Sequence, residues 1–117
     1  MRHQVTDADT APALGSGEVP VLATPRLIAW LEAATVRAAA PFTGPGETTV
    51  GTAVRVRHLR ATGVGEWVEV SARPPARAGA SRLAFAVRAV DAAGRLVAEG
   101  EIERAVVDRR QFLDGVR

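Results

Sequence analysis

The sequence predicts an α+β fold in which an antiparallel sheet curls around one long helix. Residues 23–40 have helical periodicity and are apolar on nearly all sides, so other elements must cover them. The four segments that follow alternate apolar and polar residues, as half-buried strands do. A sheet of four consecutive strands that wraps around the helix would cover the apolar surface that the helix cannot expose to water.

The helix is expected over Ala23–Ala40. At its start, the hydroxyl of Thr24 can cap the first turn, and a proline at the first helical position costs no hydrogen bond. Residues about 100° apart place six side chains on one stripe: Leu27, Ile28, Leu31, Thr35, Ala38 and Ala39. The opposite side is mostly alanine, so little of the helix is expected to face water. Glu32 lies at the edge of the stripe, where a carboxylate is costly to bury without a partner.

Four strands are expected after a turn at 44–46, namely residues 49–60, residues 67–73, a strand through 83–89 and a strand from Leu96 onward. His58 falls in the inward-facing phase of the first of them, at its far end. A hairpin turn is predicted at 91–94. Arg104 falls in the inward-facing phase of the last strand. This predicts a bulge near Glu103–Arg104, or an arginine that reaches a buried acid.

The remaining segments are expected to be less regular. Residues 3–6 can form a short edge strand, the connection 73–80 is expected to be mobile, and 108–117 can form a final helical turn. We expect a single domain over residues 1–117, with 1–17 as a loosely ordered arm whose residues 11–18 could act as a lid.

Composition excludes several classes of function. All fifteen basic residues are arginine, and the chain has no lysine, tyrosine or cysteine, so a net charge of only +2 gives a sequence pI near 10.9. The arginines are dispersed, and only three Phe and two Trp could stack on bases, so we expect no nucleic-acid partner. Without cysteine there is no disulfide, thiolate zinc site or Cys nucleophile.

Neither a membrane segment nor a cofactor is expected. No run of about 18 apolar residues is present, and the N-terminus has no apolar core of a secretory signal, so a cytoplasmic protein is expected. The chain contains only two histidines, His3 and His58, and no clustered carboxylates, so no metal site is expected.

Three polar residues stand out as candidate catalytic groups: Thr24, Glu32 and His58. A hydroxyl, a carboxylate and an imidazole that face one crevice between helix and sheet are the groups that acyl transfer uses. Each also has a structural explanation. Thr24 can be a helix cap, Glu32 can pair with Arg55, Arg57 or an arginine of a partner chain, and His58 can be a solvated strand end.

A resemblance adds to this interpretation. The pieces A-T-P, L-x-E-A-A, P-G-E-x-x-V-G-T, V-x-H-x-x-A-T-x-x-G and E-R-x-V-V occur in this order. Together, over residues 19–113, they resemble the hotdog-fold thioesterase family that includes fluoroacetyl-CoA thioesterase. The resemblance implies that Thr24, Glu32 and His58 are catalytic and that the backbone amide of Gly51 faces the thioester carbonyl.

In two places the chain departs from the fluoroacetyl enzyme. No aromatic gate precedes Thr24, where this chain has Val19–Leu22, and Ile102 stands where that enzyme has a histidine. The resemblance therefore implies hydrolysis of a small acyl thioester of CoA or of an acyl-carrier protein, and leaves the acyl group open. Enoyl-CoA hydration, which uses an Asp/His pair in related hotdog enzymes, does not fit these residues. The alternative is a non-catalytic hotdog module that binds acyl-CoA or a protein.

A homodimer is also expected. A sheet wrapped over one helix leaves a free edge strand and exposed apolar surface that a second copy would cover, and hotdog proteins commonly pair in this way, with the site at the interface. Arg55, Arg57 and Arg60 are candidates for contacts with CoA phosphates. The alternative for these three is a solvated outer strand face.

Overall fold

The computed structural model contains one long helix held against an antiparallel sheet, and it describes residues 1–77 and 79–117. The helices are α1 (Ala11–Leu14), α2 (Thr24–Ala39) and α3 (Arg109–Gly115), with single 3-10 turns at Asp7–Asp9 and Ala40–Phe42. The strands are β1 (Arg2–Gln4), β2 (Glu47–His58), β3 (Trp67–Ala72), β4 (Ala76–Arg77), β5 (Arg82–Asp91) and β6 (Leu96–Asp108). The expected α+β arrangement, a curled sheet around a central helix, is confirmed.

The sheet has the order β1-β3-β5-β6-β2, and the short strand β4 pairs with β5 on the side. Every pairing is antiparallel. β2 therefore forms one edge of the sheet, although it is next to the helix in sequence. The connection 73–80, which was expected to be mobile, contains β4, and Ala78 of that connection lies outside the described residues.

The core forms where α2 packs on the sheet. From the helix, Leu27 and Leu31 are fully buried, and they lie in one cluster with Val70 of β3, Phe85 of β5 and Ile102 of β6. These are the alternate strand positions that the sequence pattern places inward. Burial of this apolar surface is the main term that stabilises the fold.

The helix differs from its prediction in two respects. Its N-cap is Ala23, and no side chain caps the first turn, so the predicted capping role of Thr24 is wrong. Thr24 already has helical geometry, which turns its hydroxyl away from the free amides of the first turn. The expectation that little of α2 faces water also fails in the single chain, because Ala29 is exposed and Val36 is 50% exposed.

A bulge interrupts the edge strand β2, whereas the sequence pattern predicted a bulge on β6. The register between β2 and β6 shifts between Gly51 and Ala53, directly opposite Glu103–Arg104. The bulge is therefore on β2 rather than on β6. Because a bulge changes which residues face inward, and because β2 has no strand on its outer side, Val54 is 41% exposed instead of buried.

The N-terminal segment packs on the main sheet. β1 pairs with β3, Val5 is buried, and the imidazole of His3 stacks on Trp30 of α2 with ring centroids 4.4 Å apart. Whether residues 11–18 act as a lid stays a prediction. In the described ranges, 1–77 and 79–117, no helix is long and apolar enough to cross a membrane.

Candidate active site

The first residue of α2 contacts the last residue of β2. Thr24 Oγ1 lies 2.8 Å from Nδ1 of His58, which is a good hydrogen bond whose donor depends on the imidazole tautomer. The contact exists because α2 runs antiparallel to β2, so the start of the helix meets the end of the strand. The structure thus brings together two of the three predicted catalytic residues, and the side chain of His58 is not a solvated strand end.

His58 is held neutral near neutral pH. Burial lowers the pKa of its imidazole below the ordinary value of 6.5, and the nearby backbone of Arg60 opposes this more weakly. Its second nitrogen, Nε2, is buried and has no hydrogen-bond partner in the described part of the chain. A neutral imidazole with one nitrogen on a hydroxyl and the other unengaged can exchange a proton with a further group placed at Nε2.

Glu32 lies at the middle of the helix and has a different partner from the ones expected. Its Oε2 is 3.5 Å from Nη1 of Arg104, the inward-facing arginine of β6. Arg104 is 6% exposed and also donates from Nε to the hydroxyl of Thr49, at 2.8 Å, and from Nη2 to its carbonyl oxygen, at 3.2 Å. Burial lowers the pKa of Arg104, and the negative charge of Glu32 opposes this by raising it. The guanidinium is thereby fixed behind the carboxylate.

Arg55, one of the expected partners of Glu32, is instead engaged by Glu101 and Glu103. These two carboxylates follow the outward-facing alternation of β6, and Arg55 lies directly opposite Glu101 in the register. Side-chain hydrogen bonds to them raise the pKa of Arg55. The predicted pairing of Glu32 with Arg55 is therefore wrong, whereas the prediction that Arg104 reaches an acid is confirmed.

Gly51 leaves the space that Glu32 occupies. A Cβ atom at position 51 would lie 2.8 Å from Oε2 of Glu32 and 3.5 Å from Nη1 of Arg104. Any side chain at this position would displace the carboxylate. Glu32, Gly51 and Arg104 therefore form one group, which we call the carboxylate cluster, beside the bulge of β2.

The carboxylate cluster is separate from the Thr24–His58 pair within one chain. Eight residues of α2 separate Thr24 from Glu32, which is about 12 Å along the helix axis. Gly51 and His58 are seven residues apart on β2, about 23 Å along the strand. No hydrogen bond joins Glu32 to either member of the pair among the described residues. The two groups thus lie at different heights of the same helix.

A cavity of about 330 Å³ adjoins the Thr24–His58 pair. Its walls come from the segment that precedes α2 and from the residues that follow β2. Val19, Val21 and Leu22 supply apolar surface, and Glu18 and Arg60 are the charged residues that line it. A cavity of this size suits a short acyl chain better than a long one.

Comparison with known proteins identifies the class of this fold and site. The structure matches that of a fluoroacetyl-CoA thioesterase with a TM-score of 0.90 at 32% sequence identity, over 100% of this chain and 90% of that chain. It matches a Thermus thermophilus protein described as a thioesterase superfamily member with a TM-score of 0.89 at 28% identity, over 100% of this chain and 85% of that one. The chain has the hotdog thioesterase fold, as predicted.

The sequence gives the narrower assignment. The family model described as fluoroacetyl-CoA-specific thioesterase matches residues 5–110. The fluoroacetyl-CoA thioesterase of Streptantibioticus cattleyicolor is 39% identical over 97 residues, which are 83% of this chain and 68% of that protein. The chain therefore belongs to the fluoroacetyl-CoA-specific thioesterase family, whose chemistry is the hydrolysis of acyl-CoA thioesters.

The sequence predicted only part of the role of Arg104. Its inward-facing phase was a usable signal, because a charged residue in the buried alternation of a strand needs an acid. The identity of that acid was not readable, since it depends on how far along β6 the helix crosses. Thr49, its hydrogen-bond acceptor, gave no signal at all.

We expect that Gly51→Ala loses activity without loss of stability. The added methyl group meets the mobile end of the Glu32 side chain rather than backbone, so the carboxylate moves aside and the free energy of unfolding changes by less than about 1 kcal/mol. kcat should fall at least about tenfold because positioning within a fraction of an ångström matters at a reacting group. Steady-state kinetics and urea unfolding measure the two effects, and unchanged kcat would contradict the role of the cluster.

Arg104→Met should lower both stability and activity. It leaves Thr49 and Glu32 without a donor, which costs about 1–3 kcal/mol in urea unfolding, and it frees the carboxylate, so kcat should fall as well. Arg55→Met is the matched control, because that arginine is exposed and pairs with two carboxylates on the outer face, so its loss should change the free energy of unfolding little. Equal losses in the two variants would show that Arg104 has no special relation to Glu32.

Proposed function

We propose that this protein is a homodimeric acyl-CoA thioesterase that removes a small acyl group at a site shared between two protomers. The observation that carries the proposal is the division of the catalytic groups into two incomplete halves. Thr24 and His58 lie together at the start of α2, whereas Glu32 lies about 12 Å further along the helix, beside Gly51 and Arg104. A second copy can complete both halves.

The unpaired edge of β2 supports such a dimer. Its backbone groups face outward, and Val54 beside it and Val36 on α2 are 41% and 50% exposed. Edge strands of this kind are ready to pair with another chain. If the two-fold axis of an antiparallel pairing of β2 with its copy lies between Val54 and Arg55, then Gly51 of one strand lies opposite His58 of the other. The Thr24–His58 pair of one protomer would then face Glu32 and Gly51 of its partner.

The shared site would contain the groups for hydrolysis. The thioester carbonyl lies against the backbone at Gly51, where an amide can stabilise the developing oxyanion. The partner's Glu32 either deprotonates a water that attacks the carbonyl carbon or attacks that carbon itself. The carbon–sulfur bond then breaks, and the neutral His58 imidazole, held at Nδ1 by the Thr24 hydroxyl, stabilises the leaving thiolate by a hydrogen bond from Nε2–H; the thiolate takes its proton from solvent. When water attacks, its proton passes to Glu32. When Glu32 itself attacks, the resulting acyl-enzyme is hydrolysed by water.

The proposed substrate is a short acyl-CoA. The cavity beside His58 is small and mainly apolar on the side formed by Val19–Leu22. Structures of the related fluoroacetyl-CoA thioesterase include one with acetyl-CoA and one with fluoroacetate and CoA. Because this chain has no aromatic residue at 19–22, we expect no marked preference for fluoroacetyl-CoA. A cytoplasmic location, where acyl-CoA is made and used, fits this role.

Release of free thiol from acetyl-, fluoroacetyl-, propionyl-, butyryl- and phenylacetyl-CoA tests the activity. The wild-type protein should turn over at least one of the short chains, and Glu32→Gln and His58→Ala should each lose most of kcat. A protein whose Tm rises with acyl-CoA but which releases no thiol would be the non-catalytic binding module instead. Full activity in either variant would remove that residue from the mechanism. Light scattering should find a dimer at micromolar concentration.

A further inference from the structure

We infer that the C-terminal helix α3 holds the phosphates of the CoA whose acyl group is bound at the partner's Thr24–His58 pair. The inference rests on the proposed function, and it adds a binding site for the CoA diphosphate and ribose phosphate. The residues involved are Arg109, Arg110 and Arg117, which share one wall of a surface cavity of about 850 Å³.

The charge of this cavity is not balanced within the chain. Neither Arg109 nor Arg110 has a carboxylate within 4.0 Å in residues 1–77 and 79–117. The carboxylate of Asp108 caps α3 by accepting from the amide of Gln111 at 2.9 Å. Only Asp114 pairs with an arginine of the cavity, Arg117, at 3.5 Å, and both side chains of that pair are more than 60% exposed. Arginines in this state are available for phosphate oxygens.

The position of α3 places these arginines at the interface end of β2. The amide of Arg109 donates to the carbonyl oxygen of Gly46 at 2.9 Å, so the start of α3 is fixed beside the residue that precedes β2. If Gly51 lies beside the partner's His58 in an antiparallel pairing, then Gly46 lies five residues further on, beyond the end of the partner's β2 and on the side of the segment that follows it. The cavity at the partner's Thr24 and His58 is lined by its residues 58–61. The basic helix would thus stand at the mouth of the partner's acyl cavity.

The chemistry of CoA requires such a site outside the acyl cavity. The thioester sulfur and the phosphates are at opposite ends of the pantetheine arm, so the phosphates must be bound at or beyond the mouth. The cavity that holds the Thr24–His58 pair contains one arginine, Arg60, and it contains Glu18 as well. One cation beside one anion is a poor site for several phosphates. Arg109 and Arg110 of α3 and Arg117 beyond it outnumber Asp108 and Asp114 of their cavity, so they supply the missing positive charge.

A larger groove of about 900 Å³ lies on the other face of the sheet and is also lined by arginines, but it suits phosphates less well. Arg55 in this groove is already engaged by two glutamates. Glu99 lies directly between Arg57 and Arg88 in the strand register, so it offsets their charge. We therefore assign the contacts with CoA phosphates to the arginines of α3 and not, as expected from the sequence, to Arg55 and Arg57.

Binding of CoA and of pantetheine, which lacks the phosphates, separates the possibilities without any need for turnover. Isothermal titration of the double variant Arg109→Ser/Arg110→Ser should show a Kd for CoA at least about tenfold higher than that of the wild type, since two charge-assisted contacts are lost. The Kd for pantetheine should not change. The double variant Arg73→Ser/Arg88→Ser, from the outer groove, is the matched control and should bind CoA as the wild type does.

Three results would overturn the inference: an unchanged Kd for CoA in the α3 variant, an equal loss for CoA and pantetheine, or a loss of CoA affinity only in the outer-groove variant. Failure of the proposed function would look different, because a protein without thioesterase activity can still show the selective loss of CoA affinity. Size-exclusion chromatography confirms that each variant keeps the oligomeric state of the wild type.

The assignment across the interface has its own test in mixed dimers. A His58→Ala chain supplies intact arginines, and an Arg109→Ser/Arg110→Ser chain supplies an intact His58. If the arginines act on the partner's site, the mixed dimer has one fully functional site, and the KM for its best acyl-CoA returns to the wild-type value. If the mixture shows only the raised KM of the arginine variant, the arginines serve their own chain and the inference is wrong.

Discussion

The position of the Glu32 carboxylate, in the space where a side chain at Gly51 would lie, is the constraint on which the candidate site depends. A carboxylate that reaches this point on the flank of a central helix needs a partner charge and a gap in the opposing strand. Arg104 supplies the charge and is itself fixed by Thr49, and the absence of a side chain at Gly51 supplies the gap. The bulge of β2 lies next to this gap. Removal of any one of these features moves the carboxylate.

The same packing of α2 along β2 is the reason for proposing that two chains form the site. Thr24 and His58 are in contact where α2 begins and β2 ends. A helix advances about 1.5 Å per residue and a strand about 3.3 Å, so residues further along either element soon lie far from this contact. Glu32 and His58 lie on facing elements and yet cannot meet in the same protomer. In the proposed dimer, the edge strand β2 and the exposed apolar residues beside it would give a second copy a place to bind, and two-fold symmetry would bring the separated groups together.

Most of the fold could be predicted from the sequence, because alternation and helical periodicity report burial directly. The inward positions of β3 and β5, such as Val70 and Phe85, follow the pattern closely. The edge strand β2 was predicted less well, since Val54 has an apolar side chain but no neighbour to cover it. The candidate site, too, could be predicted only in part. Sequence spacing singled out Thr24, Glu32 and His58, but their distribution over two heights depends on how a helix crosses a strand, which no local pattern encodes.

Subunit complementation tests the shared site most directly. Glu32→Gln and His58→Ala chains, each inactive alone, would be mixed in equal amounts, unfolded and refolded together, and assayed for thiol release. If the two residues act from different protomers, half of the dimers are mixed and each has one intact site, so about a quarter of the wild-type activity returns. If both act within one chain, every site in the mixture carries a lesion, and activity would stay at the level of the separate variants. That result would contradict the shared site.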